Sequence, residues 1–400
     1  MKASNTTIHY RRSLTAAAVI AATLPALAHA GQDTAPASQS SEASAFDEAW
    51  ALATLYKDNS NPYIQEFKLR GRYQGQYYKV DADQGNNDHW EDRRSRFGFD
   101  AKLFEKKVEV RVDFQSNDGF EDIYDGLVDA YIRWKPSKEF SLTVGKTKPL
   151  IAQYDWLEST NTQPTFERSQ IFNQLNINRA TAITAEGTYD NFSYRAGIYA
   201  NDTPSTTGGT GAWGDGEWGE LDGGTSTTLG VGYDFKSLLG TEKADFRLDW
   251  LHSNREADDL VLARYDDILS TTFWVKQDAA AIVFEGFYAT GGDGKNSDVF
   301  GFYIQPTYDI IPKKLQLVGR YSYAHSNGDA GVITQSRYEK GVAVSSGRGD
   351  SYNAFYLGAQ YFIYGDKLKV LAGAEYAKLD GPSTDAYDGF TYLTGVRFSF

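Results

Sequence analysis

The sequence predicts an all-β protein: a 16-stranded antiparallel transmembrane β-barrel with a constriction loop, preceded by a short N-terminal periplasmic helix. Three observations predict it. From Ile64 to Phe400, apolar and polar residues alternate with period two in sixteen separate runs, an even number. The connections alternate between short and long, as do the periplasmic turns and outer loops of a bacterial barrel. Alternation continues to the last residue and ends on an aromatic, Phe400.

Residues 1–30 read as a signal peptide outside the fold. Lys2, Arg11 and Arg12 give a basic start, residues 14–27 are mainly apolar, and Ala28-His29-Ala30 is a small-x-small cleavage site. Without those three cations the chain keeps 37 basic and 53 acidic residues, a net charge of −16. That balance argues against nucleic acid as a partner. Cysteine is absent, so an exported chain folds without disulfides. No later segment has 18 consecutive apolar residues, which excludes spanning by helices.

Residues 31–62 read as a periplasmic leader. Within it 45–57 predict a helix, with Ser44 and Asp47 as a loose cap and Phe46, Trp50 and Ala53 on one face. Asn61-Pro62 ends it. The barrel then occupies 63–400. In its first run Phe67, Leu69, Tyr73 and Tyr77 share one face, and Lys68, Arg70, Arg72, Gln74 and Gln76 the other. Later outward faces follow the same rule, from Phe97/Phe99 and Val128/Ala130/Ile132 to Phe390/Tyr392. Long connections are expected at 81–89, 115–123, 147–178, 201–225, 253–268, 290–298, 326–350 and 380–388. Pro306 lies inside the twelfth run, where a bulge is expected because a closed barrel has no edge to accept it.

Residues 149–178 have no period of their own, yet they are rich in aromatics and amides. A connection this long is functional more often than idle. It reads as the loop between strands five and six folded inward to narrow the pore; the alternative is an ordinary surface loop.

The candidate pore-lining and selectivity residues are Arg70, Arg72, Arg94, Arg96, Arg111, Arg133, Lys146, Lys148 and Arg168, with Asp155, Glu158 and Glu167. Alternation turns the strand arginines inward, and Arg397 on strand sixteen joins their wall when the barrel closes. Guanidinium stays charged and presents a planar fork to anions. The loop carboxylates facing these cations would set a transverse field across the constriction. The competing reading is that inward acids such as Asp100, Asp113 and Asp129 merely pair with the arginines and brace the wall.

Residues 93–104, Val108 to Gln115, and Phe166-Glu167-Arg168-Ser169 resemble strands two and three and the loop motif of the phosphate-selective porin O and P family. The resemblance implies a trimeric diffusion channel whose third outer loop enters the lumen. It also implies pore-lining or loop-anchoring roles for Arg94, Arg96 and Arg168. Phosphate-specific members carry a lysine-rich route through the loops; here the outer loops are acidic, with Asp215, Glu217, Asp258, Asp266 and Asp267.

The implied partners are outer-membrane lipid, small hydrophilic solutes and inorganic ions, and two further copies of the chain. No cofactor or metal is expected. No His-Glu-x-x-His or Gly-x-Ser-x-Gly occurs, and Gly145-Lys146-Thr147 has Phe at position 140 where a phosphate loop needs Gly.

Overall fold

The computed structural model describes residues 44–116, 118–201, 224–255 and 262–400. The signal peptide read at 1–30, the leader up to residue 43, and the acidic residues at 215–222 and 256–259 lie outside them. Sixteen strands form the barrel: β1 (Ile64–Ala82), β2 (Gly85–Leu103), β3 (Val108–Ser116), β4 (Gly126–Trp134), β5 (Ser141–Thr147), β6 (Ala180–Tyr189), β7 (Phe192–Ala200) and β8 (Gly224–Asp234). They continue as β9 (Lys243–Arg255), β10 (Asp267–Gln277), β11 (Ala280–Thr290), β12 (Val299–Ile311), β13 (Leu315–Ser326), β14 (Ser351–Tyr364), β15 (Leu368–Asp380) and β16 (Tyr387–Ser399). Each pairs antiparallel with the next, and β16 pairs back onto β1 from Gly389↔Ala82 to Ser399↔Arg72. Closure removes the free edges that a sheet of this size would otherwise expose.

Register sorts the faces. Leu69, Phe97, Ile132, Val144, Ile183 and Leu229 point outward, each at least 40% exposed, as lipid-facing residues do. Gln74, Gln76 and Arg94 point inward and are buried. The lumen is not polar throughout. Ala182, Val283, Phe287 and Tyr303 face in and form a core with Ile151, Trp156, Phe172 and Leu175 of the long loop.

Four local expectations are corrected. The first outer connection is a two-residue turn at Asp83-Gln84, because β1 and β2 continue through 81–89. The strands there carry polar side chains, so hydropathy alternation fades while the ladder persists. The expected helix over 45–57 is shorter, α1 (Ala45–Ala51), with Ser44 and Asp47 capping each other. Thr54–Lys57 instead pairs with Glu66–Lys68, where β1 extends beyond the end of β16 and would otherwise leave an open edge. Trp50 Nε1 donates to Ser399 O at 2.6 Å, and its ring packs on Tyr364 and Phe398.

Pro306 causes no bulge: Ile304↔Tyr321 and Thr307↔Val318 stay in phase across it, and the irregularity falls at Asp309/Ile311. Gly319 lies beside the proline, and even a Cβ there would be at ordinary van der Waals distance, 3.7 Å from the ring. Val128, read as one of the outward, lipid-facing residues, is instead buried, 1% exposed, at a register shift between β3 and β4.

Gly145 is required by its backbone. Its φ is +125°, and a Cβ would sit 2.2 Å from Ala130 O. Gly145→Val is expected to lower stability by about 2 kcal/mol or more, seen as a lower midpoint of thermal unfolding in detergent. An unchanged midpoint would mean that β4 and β5 separate without strain.

Candidate pore constriction

The connection between β5 and β6 turns into the lumen. It contains a single π-turn, Gln153–Leu157, and a short helix α2 (Gln170–Leu175) whose first turn is capped by Ser169, with Phe172 N donating to Ser169 Oγ at 3.2 Å. Its apolar side chains meet the inward apolar patch of β6, β11 and β12. The absence of a sequence period follows from this: the loop contacts wall on several sides and so has no single buried face.

The loop carboxylates serve the loop itself. Asp155 is buried and accepts from Ser169 N at 3.1 Å and Ser169 Oγ at 2.5 Å. Burial pushes its carboxyl above the usual range, with Arg320 and the Ser169 hydrogen bonds opposing. Glu167 makes a bidentate pair with Arg93, Nη2 to Oε2 being 2.9 Å, and Arg94 Nη2 lies 3.9 Å away. Despite burial, these cations hold Glu167 well below the usual carboxylate range. Glu158 is half-buried and accepts from Gln153 Nε2 at 3.4 Å. None of the three lines the cavity described next, so the transverse field expected from loop acids is not built by these side chains.

A cavity of about 760 Å³ runs along the inner wall to the end of the barrel with short turns. Its lining includes Arg70, Arg72, Arg96, Arg111, Arg133, Lys148 and Arg168. Arg96 Nε donates to Gln115 Oε1 at 3.1 Å and Arg133 Nε to Thr143 Oγ1 at 3.0 Å; the other five fall into two groups. Arg70 and Arg111 share Asp100 at 2.7 Å each; Arg70 also meets Asp113 at 3.0 Å and Arg111 meets Glu109 at 3.1 Å. That lower group is neutralised and braces the wall.

The upper group is different. Arg72 donates to Thr160 Oγ1 at 3.1 Å and Ser159 Oγ at 3.3 Å. Arg168 Nε donates to Asp155 O at 2.5 Å and lies 4.8 Å from the Trp156 ring. Lys148 donates to backbone carbonyls of Trp156, Leu157 and Glu158. Among the described residues these three form no ion pair. Burial lowers Arg168 to about 10, with Asp155 opposing and Arg179 adding to the effect. Burial also pushes Lys148 well below the lysine range, helped by Arg179 and Arg168. Burial is the larger cause of both shifts, with neighbouring cations adding to it and Asp155 and Asp129 opposing.

The other two candidates are placed elsewhere. Arg94 is buried against Gln74, Nη1 to Oε1 2.9 Å. Lys146 is buried, and its register position, opposite Ala130, belongs to the outer face with Ile132 and Val144.

Four cations were missed. Arg179 pairs with Asp129 at 2.7 Å and lies 5.4 Å from the Trp156 ring. Arg195 pairs with Asp249 and reaches Gln153 Oε1 at 2.9 Å. Arg247 meets Ser193 Oγ at 2.7 Å. The alternation of β7 and β9 already turns Arg195 and Arg247 inward. Arg93 is outward by strict alternation, but a register shift pairs Gln74 with Arg94 and Gly75 with Asp92, and this turns Arg93 in.

A second inward loop, 327–350, closes against the first. Gln170 Nε2 and Gln174 Nε2 donate to Ile333 O and Gly331 O at 2.5 and 2.7 Å. Its Glu339 is buried, accepting from Tyr352 OH at 2.7 Å and Gln335 N at 2.9 Å. Burial, then Glu375, raises the Glu339 carboxyl to about 8. A raised folded-state value stabilises fully below the ordinary carboxylate range and loses that contribution as pH rises through about 8. Protection factors for hydrogen exchange at 335–344, which remove the intrinsic base catalysis of exchange, are therefore expected to be higher at pH 5 than at pH 8.5. Glu339→Gln should flatten the difference; an equal pH response in that variant would assign it to another group.

Comparison with known proteins places this architecture. The fold resembles OmpF of Salmonella typhi, in a complex with daunomycin, with a TM-score of 0.60 and 11% identity over 87% of this chain and 100% of that one. It resembles an anion-selective porin from Comamonas acidovorans with a TM-score of 0.56 and 10% identity, over 84% and 99%. OmpT of Vibrio cholerae gives 0.55 and 13%, over 86% and 100%. Among curated proteins nothing matches. A closed 16-stranded barrel with an inward loop and this set of neighbours defines an outer-membrane porin-type channel fold. Within that class the sequence matches the family of phosphate-selective porins O and P over residues 67–254, from β1 through nearly all of β9, bearing out the resemblance read from β2, β3 and the loop motif.

Proposed function

We propose that the protein is a passive outer-membrane diffusion channel for small hydrophilic solutes and inorganic ions, with weak anion or mixed selectivity. Phosphate is one anion that fits this chemistry. The observation that carries the reading is the upper group of cations. Arg72, Lys148 and Arg168 line the cavity while their contacts are hydroxyls, carbonyls and a ring face. A passing anion therefore meets the guanidinium charge of Arg72 and Arg168, which no direct ion pair neutralises. Export by a cleaved signal peptide at 1–30, a periplasmic leader to residue 62 and a homotrimer complete the proposal. A trimer form is described for the Vibrio cholerae OmpT, whose fold this chain resembles.

One observation favours a second reading, a plugged structural or adhesion barrel: two inward loops pack a buried apolar core inside the lumen. Proteoliposome swelling separates the two. A channel admits a pentose faster than a trisaccharide. A plugged barrel gives no swelling with either sugar and no conductance in a planar bilayer.

A further inference from the structure

We propose that Arg397, on the closing strand, is the positioning residue that sets the pore aperture, by clamping the backbone of the constriction loop. The proposal rests on the channel reading above and adds the element that fixes its width.

Arg397 faces inward opposite Gln74 and is 4% exposed. Its Nη1 donates to Thr160 O at 2.8 Å and Gln163 O at 2.6 Å; its Nη2 donates to Thr165 O at 2.6 Å and Phe166 O at 3.1 Å. Among the described residues it forms no ion pair. Four carbonyls of one irregular segment thus converge on one guanidinium. Such carbonyls need partners when buried, and only arginine carries five donors in a fixed fork. Neighbouring contacts extend the clamp. Gln74 Nε2 meets Asn161 Oδ1 at 3.1 Å, and Arg320 Nη1 meets Glu167 O at 2.8 Å. Five strands further round the wall, on β11, Glu285 accepts from Tyr154 N at 2.8 Å and Asp155 N at 2.9 Å.

The wall therefore grips the loop by its main chain, a cation on its carbonyls and a carboxylate on its amides. Lys148 and Arg168 keep their side chains on the cavity. Without Arg397, the 160–166 segment loses its seat and swings. The geometry also orders assembly. The clamp lies 231 to 237 residues beyond the carbonyls it holds, on the strand that closes the barrel, so the loop seats only after closure.

The test is single-channel recording of the full-length protein, Arg397→Gln and Arg397→Lys, each verified as folded by its shift on an unheated gel. Arg397→Gln is expected to raise conductance at least twofold and to add open-channel noise. Arg397→Lys, with three donors from one point, should fall between. If Arg397→Gln fails to fold, the lysine variant carries the test. Folded variants with lower melting temperature but parental conductance and noise would overturn the clamp and leave the channel. A silent parent with silent variants would overturn both.

Discussion

Deleting residues 152–176 is expected to raise single-channel conductance several-fold while the barrel still folds. Thr147 and Ala180 are already paired across β5 and β6, so the remaining 148–151 and 177–179 can close the hairpin. The loop fills the lumen with Trp156, Phe166, Ile171, Phe172 and Leu175, all buried. Its removal replaces that core with water. The wall groups that held it, Glu285, Arg320 and Arg397, become hydrated instead of stranded, so the deletion does not carry the cost of buried unpaired charge. Planar-bilayer recording checks the result. Parental conductance in a folded deletion would place the limiting constriction elsewhere, with loop 327–350 the next segment to remove.

The combined change Arg72→Gln, Lys148→Gln and Arg168→Gln is expected to move selectivity strongly toward cations. Even at the dielectric of bulk water, a charge about 6 Å from a passing ion is worth on the order of 0.7 kcal/mol. Each charge favours an anion and disfavours a cation by that amount, so removing one shifts the anion-to-cation permeability ratio by roughly tenfold at low salt, and removing three by up to about a thousandfold. The shift should shrink at high salt as the Debye length falls. Arg70→Gln with Arg111→Gln is the matched control. Those guanidiniums are balanced by Asp100, Asp113 and Glu109, so Asp100→Asn and Asp113→Asn are made with them, and loss of the balanced set changes selectivity less. Equal effects from both sets would mean that local pairing does not decide which cations count.

The barrel was legible because a period-two pattern survives any local change of partner. All sixteen runs became strands, and Arg397 closed beside strand one as read. The inward turn of the long loop was also legible, from aromatic content without a period. What alternation could not show is where it breaks. A register shift turned Arg93 into the lumen and gave Glu167 a partner, so a carboxylate read as facing the pore holds the loop to the wall. Asp155 was likewise drawn into the loop by Ser169, fourteen residues on, a contact that no spacing rule announces. The strand arginines occupy inward positions, and alternation left open which of them pair with carboxylates and brace the wall. Arg70 and Arg72 stand two residues apart on one face, yet one meets two carboxylates and the other two hydroxyls. That difference depends on which residues of β2, β3 and the loop come alongside, and it separates bracing from selectivity.

The most direct test of the central claim, that unneutralised cations at the constriction bias passage toward anions, is the zero-current potential of the unaltered protein. It is measured in a planar bilayer across a potassium chloride gradient, at low and high salt. The account predicts reversal toward the chloride potential, most pronounced at low salt. Reversal toward the potassium potential would contradict it and give control to the acidic outer loops, through the field they set at the entrance.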